Sequence, residues 1–333
     1  MIKNLSRGFG LFLAITTISY MVAHPVFAAE KAPKLDKIVL SSPFVALVLP
    51  MAYMAKNNVL KDIAKETELV IWNNPDQLRA IMAQNQAHFV SVPCNTASIF
   101  YNKGVKLKLL NISIWGIFYV ISSDSSIESL ADLRGEKIFV PFRGDQPDLL
   151  FQFICREQGI DPFKDLDIQY VGSPLDITMS LLAGKIKHGV MHEPAASVAI
   201  MKAKEKGLTF KRAIDIQKEW AKVTGKKPII PNSGVVALPN ILKHPHAVKV
   251  FVKAYADAVK WSNENPKKAG VLAAEYVKGV PAGIFTESLK YTTFDCVSAQ
   301  DAKKPLTFLF SEYMKMNPAA IGGKMPDEDF YYK

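Results

Sequence analysis

Residues 188–194 read HGVMHEP. On a helix, two histidines four positions apart would share a face, and His188, His192 and Glu193 would look like a metal site. On a strand the same residues mean something else. Gly189 is costly inside a helix, whereas Pro194 suits the first turn of one. The stretch is therefore predicted as a strand over 187–191 that leads into a helix at Pro194. At ~3.3 Å per residue the two histidines then stand about 13 Å apart. Ligands about 2 Å from one zinc ion cannot be separated that far, so no metal site is expected. His188 becomes a residue that packs or hydrogen-bonds at the strand's start. His192 and Glu193 fall at its C-terminal end, the edge where open α/β sheets bind ligands.

An echo elsewhere in the chain supports the strand. Asn74-Pro75 begins a helix, and IMAQNQAHFV (81–90) leads to Pro93; Ser173-Pro174 begins another, and LLAGKIKHGV (181–190) leads to Pro194. The two copies lie about 100 residues apart, which suggests two similar lobes rather than a solenoid, because only two copies exist. Around them, apolar runs of strand length alternate with helical patterns. Strands are predicted at Lys37–Leu40, Leu69–Trp72, 88–92, 105–113, 117–122, Lys137–Val140 and 167–171. Helices are predicted after the loop Ser41–Phe44, from Asn74, from near Asn95 to Gly104, from Asp145 to Gln158, from Ser173 to Gly184 and over 194–206. Ser125-Ser126-Ile127-Glu128 reads as a capping box opening a short helix before Gly135. From 245 onward the pattern is mainly helical. Such βαβ alternation implies a largely parallel sheet with helices on its faces.

The chain opens with Lys3 and Arg7, an apolar run over Gly8–Ala23, and Val26-Phe27-Ala28, whose Val26 and Ala28 supply small residues at the positions a signal peptidase reads. The apolar run is shorter than the ~20 residues of a spanning helix. Residues 1–28 are predicted as a signal peptide, which places the remaining chain, enough for two full cores, in the periplasm. Cys94, Cys155 and Cys296 are too few and too scattered for a disulfide framework. The formal net charge is +10, but Lys and Arg are interspersed with acids, as in KAKEKG at 202–207. A nucleic-acid surface would cluster them, so no nucleic acid is expected as partner.

Strand–SSPF–helix, SVPCNTA, DLRGEKIFVPFRG, the connector GIDPFKDL and SLLAGKIKHGVMHEPAASVA follow one another in an order that resembles the nitrate/sulfonate/taurine-type substrate-binding proteins of ABC importers. That family also includes thiamine-pyrimidine synthases. The resemblance spans nearly all of the mature chain. It implies an α/β, two-lobed type II periplasmic binding fold, with lobe 1 formed by 29–122 plus 233–333 and lobe 2 by 123–232. The implied hinge lies near Ser122–Asp124 and Pro231–Gly234, and a ligand would bind between the lobes and draw them together. The sequence departs from the family where His88 and His188 stand in place of the frequent Asp, and where Ser91-Val92 replaces a Gly/Ser/Thr run. These departures weaken any transfer of ligand identity.

Candidate ligand contacts are loops that leave strand C-termini and feed helix N-termini, where free N–H groups favour polar or negative atoms. They comprise Ser41, Ser42, Asn73, Asn74, Cys94, Asn95 and Thr96 in the first lobe, and Arg143, Gly144, Asp145, Gln146, His192 and Glu193 in the second. Asn232 and Ser233 lie at the return crossing. Asn74 and Glu193 also suit plain helix caps. Arg143 is the residue chosen to meet a carboxylate or sulfonate; its plainer role is an ion pair with Asp145 or Glu193. Phe44 and Trp115, with Trp72, Phe118 and Phe142, lie near strand ends and could clamp a flat ligand. Two acids in the same cleft argue against a bare inorganic anion and for a small organic solute with an acidic or polar head.

The expected function is solute delivery to an ABC importer permease and its ATPase, by a monomer without cofactor, metal or catalytic residues. No G-x-S-x-G, H-E-x-x-H or P-loop sequence occurs. The alternatives are an enzyme on the same scaffold, like the pyrimidine-precursor synthases, or an exported ligand sensor.

Overall fold

The first predicted strand extends to β1 (Leu35–Ser42) in the computed structural model, which describes residues 33–333; the predicted leader lies outside them. There follow α1 (Val48–Lys56), β2 (Ala64–Ile71), α2 (Pro75–Ala83), β3 (Phe89–Pro93), α3 (Cys94–Asn102), β4 (Lys108–Gly116) and β5 (Phe118–Ser122). A middle run comprises β6 (Lys137–Pro141), α4 (Gln146–Glu157), β7 (Asp167–Val171), α5 (Pro174–Leu182), β8 (His188–His192), α6 (Ala195–Glu205), β9 (Lys211–Asp215) and α7 (Ile216–Thr224). The last part contains β10 (Ser233–Ala237), α8 (Pro239–Leu242), α9 (Pro245–Glu264), α10 (Pro266–Tyr276), α11 (Ala282–Leu289), β11 (Thr293–Ser298) and α12 (Ala299–Met316). HGVMH is a strand and Pro194 precedes a helix, as Gly189 and Pro194 dictate.

The strands form two sheets, ordered β11-β4-β10-β3-β1-β2 and β9-β5-β8-β6-β7. Each has the same plan. β3 lies between a parallel neighbour, β1, and an antiparallel one, β10; β8 lies likewise between β6 and β5. The hundred-residue echo in the sequence is thus a repeated strand order. The histidines of the echo also share a task at the foot of their strands. The His88 Nδ1 accepts from the Val39 N–H at 2.9 Å, and His188 lies 3.0 Å from the Ser122 hydroxyl.

Three predicted features differ in the structure. β5 pairs with β8 and β9, so the chain leaves the first sheet at Ile117 and not at Ser122–Asp124. A run from 109 to 121 that is buried throughout and mostly apolar hides this change of sheet. The helix expected from Ser125 is only a 3-10 turn, Ala131–Leu133, because the Asp132 carboxylate binds the Glu128 and Ser129 N–H groups at 3.0 and 2.8 Å and closes a local loop. β2 begins before Leu69. Its first half, AKETE, is too polar to read as strand, and it is tolerated because β2 is an edge strand with charged side chains facing water.

Both sheets are covered on two faces. On the first, α1 packs with α9 and α10, while α12 packs along β4; on the second, α4 pairs with α7 and α5 with α6. Burial continues from the first sheet to the second through Phe153, Trp220 and Phe308, and a separate apolar cluster of Tyr119, Ile177, Met191 and Ala199 lies beneath α5 and α6.

Two glycines are dictated by close approach. A Cβ at Gly234 would lie 1.8 Å from the Asn111 carbonyl oxygen, and one at Gly189 would lie 2.3 Å from the Ile177 Cγ2. A side chain can turn aside more readily than a carbonyl can. Gly234→Ala is therefore expected to cost about 1–3 kcal/mol or more by overpacking, and Gly189→Ala less. The check is a urea titration, which should show a lower midpoint for Gly234→Ala at unchanged slope.

Candidate ligand-binding cleft

β3 and β6 end where the two sheets meet, since Asn95 after β3 reaches Asp145 after β6, and β1 and β8 run parallel beside them. Only Ile117 links β4 to β5, and the chain returns through residues 225–232. The return strand runs beside the outgoing one: the Ile230 and Asn232 N–H groups donate to the Trp115 and Ile114 carbonyls at 2.6 and 2.9 Å. Gln217 braces this crossing. Its side-chain amide pairs with both backbone groups of Phe118 at 3.0 Å, and a Cβ at Gly116 would strike it.

Six of the candidate residues are joined here. Gln146 is buried and donates to the Pro231 carbonyl, while its own amide oxygen accepts from Asn232, both at 2.9 Å. The Cys94 N–H donates to the Asn232 carbonyl at 2.8 Å, and Ser233 donates to the Asn232 side chain at 2.6 Å. Asn95 at the start of α3 reaches Asp145, the N-cap of α4, at 2.7 Å. One network thus ties a helix start of the first sheet to a helix start of the second. Thr96 is half-buried beside it. Ser41 and Ser42 are fully buried at the end of β1; the Ser42 hydroxyl donates to the Pro43 carbonyl, and that of Ser41 has no hydrogen-bond partner.

The loop before α4 is unusual. Phe142 and Gly144 both adopt left-handed backbone, with φ of 57° and 78°. Glycine does so freely, whereas a phenylalanine there is an uncommon and strained residue of the kind that collects at functional loops. The turn aims the Asp145 N–H at the Phe142 carbonyl, 2.9 Å away, and holds the Gly144 N–H 2.7 Å from the Asp148 carboxylate.

At the end of β8 the two candidates part. His192 is half-buried, and desolvation pushes its pKa down. Its Nδ1 lies 3.0 Å from the Glu193 carbonyl. Glu193 turns to the opposite face and is consumed there. Its carboxylate meets the Arg212 Nε and Nη2 at 2.8 and 2.5 Å and the Ser197 hydroxyl at 2.7 Å. Burial raises the Glu193 carboxyl above its ordinary value, and Arg212 and Ser197 work against that rise. The Arg212 guanidinium also lies 3.4 Å from the ring centroid of Tyr291, whose carbonyl accepts from the Tyr119 hydroxyl at 2.8 Å. Sequence reasoning missed Arg212, Tyr119, Tyr291 and Gln217. They sit in no motif, and only the pairing of β5, β8 and β9 brings them together.

Other candidates stand apart from this network. Arg143 is exposed and stacks 5.0 Å from Tyr170 on edge strand β7, away from β8; it forms neither of the ion pairs considered for it. Asn73 and Asn74 are exposed, and Asn74 caps α2 by accepting from the Gln77 N–H at 2.9 Å. Trp115 and Phe118 are core residues, with the Trp115 Nε1 donating to the Asp295 carbonyl at 3.1 Å. Phe44, Trp72 and Phe142 keep partial exposure, and Phe44 meets the edge of Phe285. Two open surface hollows lie elsewhere, one beside Lys260 and Cys296 and one along α12 at Lys303 and Phe308. Neither holds converging buried polar groups, which is why the cleft is assigned from the interlobe network.

Burial pushes the Cys94 thiol up, and it pushes Cys155 up to about 12 and Cys296 to about 11. The thiolate is the reactive form. Cys94 and Cys155 are expected to resist a thiol reagent at pH 8 in the native protein, and all three cysteines should react after denaturation.

A two-lobed α/β protein with buried polar groups at the meeting edges of two topologically equivalent sheets is the class that the fold and the site define. The sequence profile of the NMT1-like family matches residues 82–276, and the chain belongs to that family. A comparison with curated proteins finds no match. Among solved structures, an ABC transporter from Parabacteroides distasonis superposes with a TM-score of 0.73 at 22% identity, covering 90% of this chain and 99% of the other. The periplasmic aliphatic sulphonate binding protein SsuA from Escherichia coli gives 0.66 at 17% identity, with 88% and 96% covered. The periplasmic nitrate-binding protein NrtA from Synechocystis gives 0.62 at 14%, with 86% and 83% covered. The fold is shared with these proteins.

Proposed function

We propose that the chain is a periplasmic solute-binding protein that takes a small organic solute between two lobes and delivers it to the permease and ATPase of an ABC importer. The observation that carries this reading is the buried polar network joining the helix starts of α3 and α4 across two sheets linked only at Ile117 and 225–232. A lobe of residues 33–116 with 233–333 and a lobe of 118–232 would rock about those two strands, with the solute held by both. The likeness to SsuA and NrtA, both periplasmic binding proteins by name, supports the same role, as does the signal-like sequence over 1–28. The reading is of a monomer that binds without catalysing, and the buried thiols with raised pKa values suit that better than a cysteine nucleophile would.

Ligand that binds only the folded state raises the melting temperature in proportion to RT ln(1 + [L]/Kd). The expected result is a concentration-dependent rise with one member of a panel of small organic solutes, accompanied by a smaller radius of gyration in solution scattering as the lobes draw together. A panel of amino acids, amines, amides, carboxylates, sulfonates and heterocycles that produces neither change would overturn the reading.

A further inference from the structure

On the reading of the chain as a solute-binding protein, the polar atoms at the interlobe edge define what the solute must offer. Helix N-termini are the ordinary seats for anions. Here α4 and α6 are already occupied by the protein's own carboxylates. Asp145 accepts from the Gln146 N–H and Asp148 from the Gly144 N–H, each at 2.7 Å, and Glu193 accepts from the Ser197 N–H at 3.3 Å. At these two helix starts an incoming oxoanion would meet like charge, whereas the starts of α1 and α3 carry no side-chain cap. Of the nearby cations, Arg212 is spent on Glu193, and Arg143 rests over the ring of Tyr170.

Two of the unpartnered atoms, on Asn95 and His192, are acceptors, and the unpartnered hydroxyl of Tyr313, buried beside Gln146, can donate or accept. The Asn95 Nδ2 donates to the Asp145 carboxylate and to the Ala320 carbonyl, which fixes the orientation of the amide. Its Oδ1, on a side chain 1% exposed, is left with no partner. The His192 Nδ1 faces a carbonyl oxygen, itself only an acceptor, so that nitrogen carries the proton. The neutral ring then presents Nε2 as a bare lone pair. The Ser41 hydroxyl, buried and unpartnered, can serve either way.

We infer that the cleft selects a nitrogen compound that donates hydrogen bonds, an amine, amidine or amide of neutral or positive charge, and disfavours oxoanions such as nitrate and alkanesulfonates. Asn95 and His192 receive its N–H groups, and Asp145 supplies the balancing charge for a cation.

The test is calorimetric titration of the full mature chain with pairs of probes of one shape: benzamidine and benzamide against benzoate and benzenesulfonate, and small alkylamines and amides against the matching carboxylates and sulfonates, with nitrate added. Native mass spectrometry of protein taken from its own periplasm identifies any solute carried through purification. The N–H member of at least one pair is expected to bind about tenfold or more tightly than its oxoanion partner. His192→Leu should then remove most of that advantage, and His192→Gln, which restores an acceptor oxygen, should recover part of it. The comparison of probes on the unaltered protein needs no variant to fold. Tighter binding of a sulfonate, a carboxylate or nitrate overturns the inferred solute class while leaving the solute-binding reading in place. Silence toward every pair, with no solute released from the periplasmic protein, removes that reading and this inference together.

Discussion

Replacing Arg212 by alanine is expected to destabilise the protein by about 3–5 kcal/mol. The reason is what the change leaves behind. Glu193 is 1% exposed and keeps only Ser197 as partner once the guanidinium is gone. An isolated buried carboxylate is far costlier than a paired one, so removing one member of the pair costs much more than the pair itself contributes. The same change deletes the cation resting on Tyr291, and with it a contact between β9 and the segment leading into β11. Arg212→Lys keeps the charge but loses the two-pronged fit and the flat stacking surface, and should fall between the two proteins. The pH dependence carries a sign. Without Arg212 the Glu193 carboxyl, already raised by burial, rises further in the folded state. A group raised on folding contributes stability below its unfolded pKa and loses it as pH climbs through its folded value. The deficit of Arg212→Ala is therefore expected to be small near pH 5 and largest at pH 8. Urea titrations at the two pH values measure it, and a deficit that does not change between them would contradict the account.

Trp220→Ala is the second large effect, also expected at about 3–5 kcal/mol. Trp220 is 2% exposed on α7 and packs against Phe153 of α4 and Phe308 of α12, with ring centroids 5.5 and 5.6 Å apart. Truncation opens a cavity at the point where helices of the two sheets touch. Trp220→Phe should cost much less, since most of the ring remains and the buried indole N–H, which has no partner, disappears. If the contact between α7 and α12 matters to lobe motion, Trp220→Ala should also enlarge the radius of gyration of the folded protein in solution scattering.

Periodicity made the βαβ body legible because strand and helix place side chains differently, and because punctuation such as Asn74-Pro75, Ser173-Pro174 and Pro194 is local chemistry. Asn74 and Ser173 cap their helices as their positions require. The repeated lobe plan was legible for the same reason, since equivalent units reuse equivalent caps and strand ends. Ile117 was not legible. A run of buried strand residues looks the same whether it continues in one sheet or passes to another, and only the hydrogen-bond partners of Phe118–Ser122 distinguish the two. The charged half of β2 escaped notice because an edge strand needs no apolar pattern on its outer side.

The candidate site was legible as a set of loops, although individual roles were not. Gln146, Asn95, Asp145 and Asn232 were placed in the cleft by the rule that ligands gather at strand C-termini, and the structure joins them in one network. Arg143, singled out for its charge, is exposed and stacks on Tyr170, while the cation that pairs with Glu193 comes from a strand with no motif.

For HGVMHEP, the sequence by itself determined that Gly189 and Pro194 make a strand feeding a helix, and so that His188 and His192 cannot share a metal. Only the tertiary structure decided what His192 and Glu193 do. Alternation along a strand sends neighbouring side chains to opposite faces, and what Glu193 meets, Arg212 with Tyr291 behind it, belongs to distant parts of the chain.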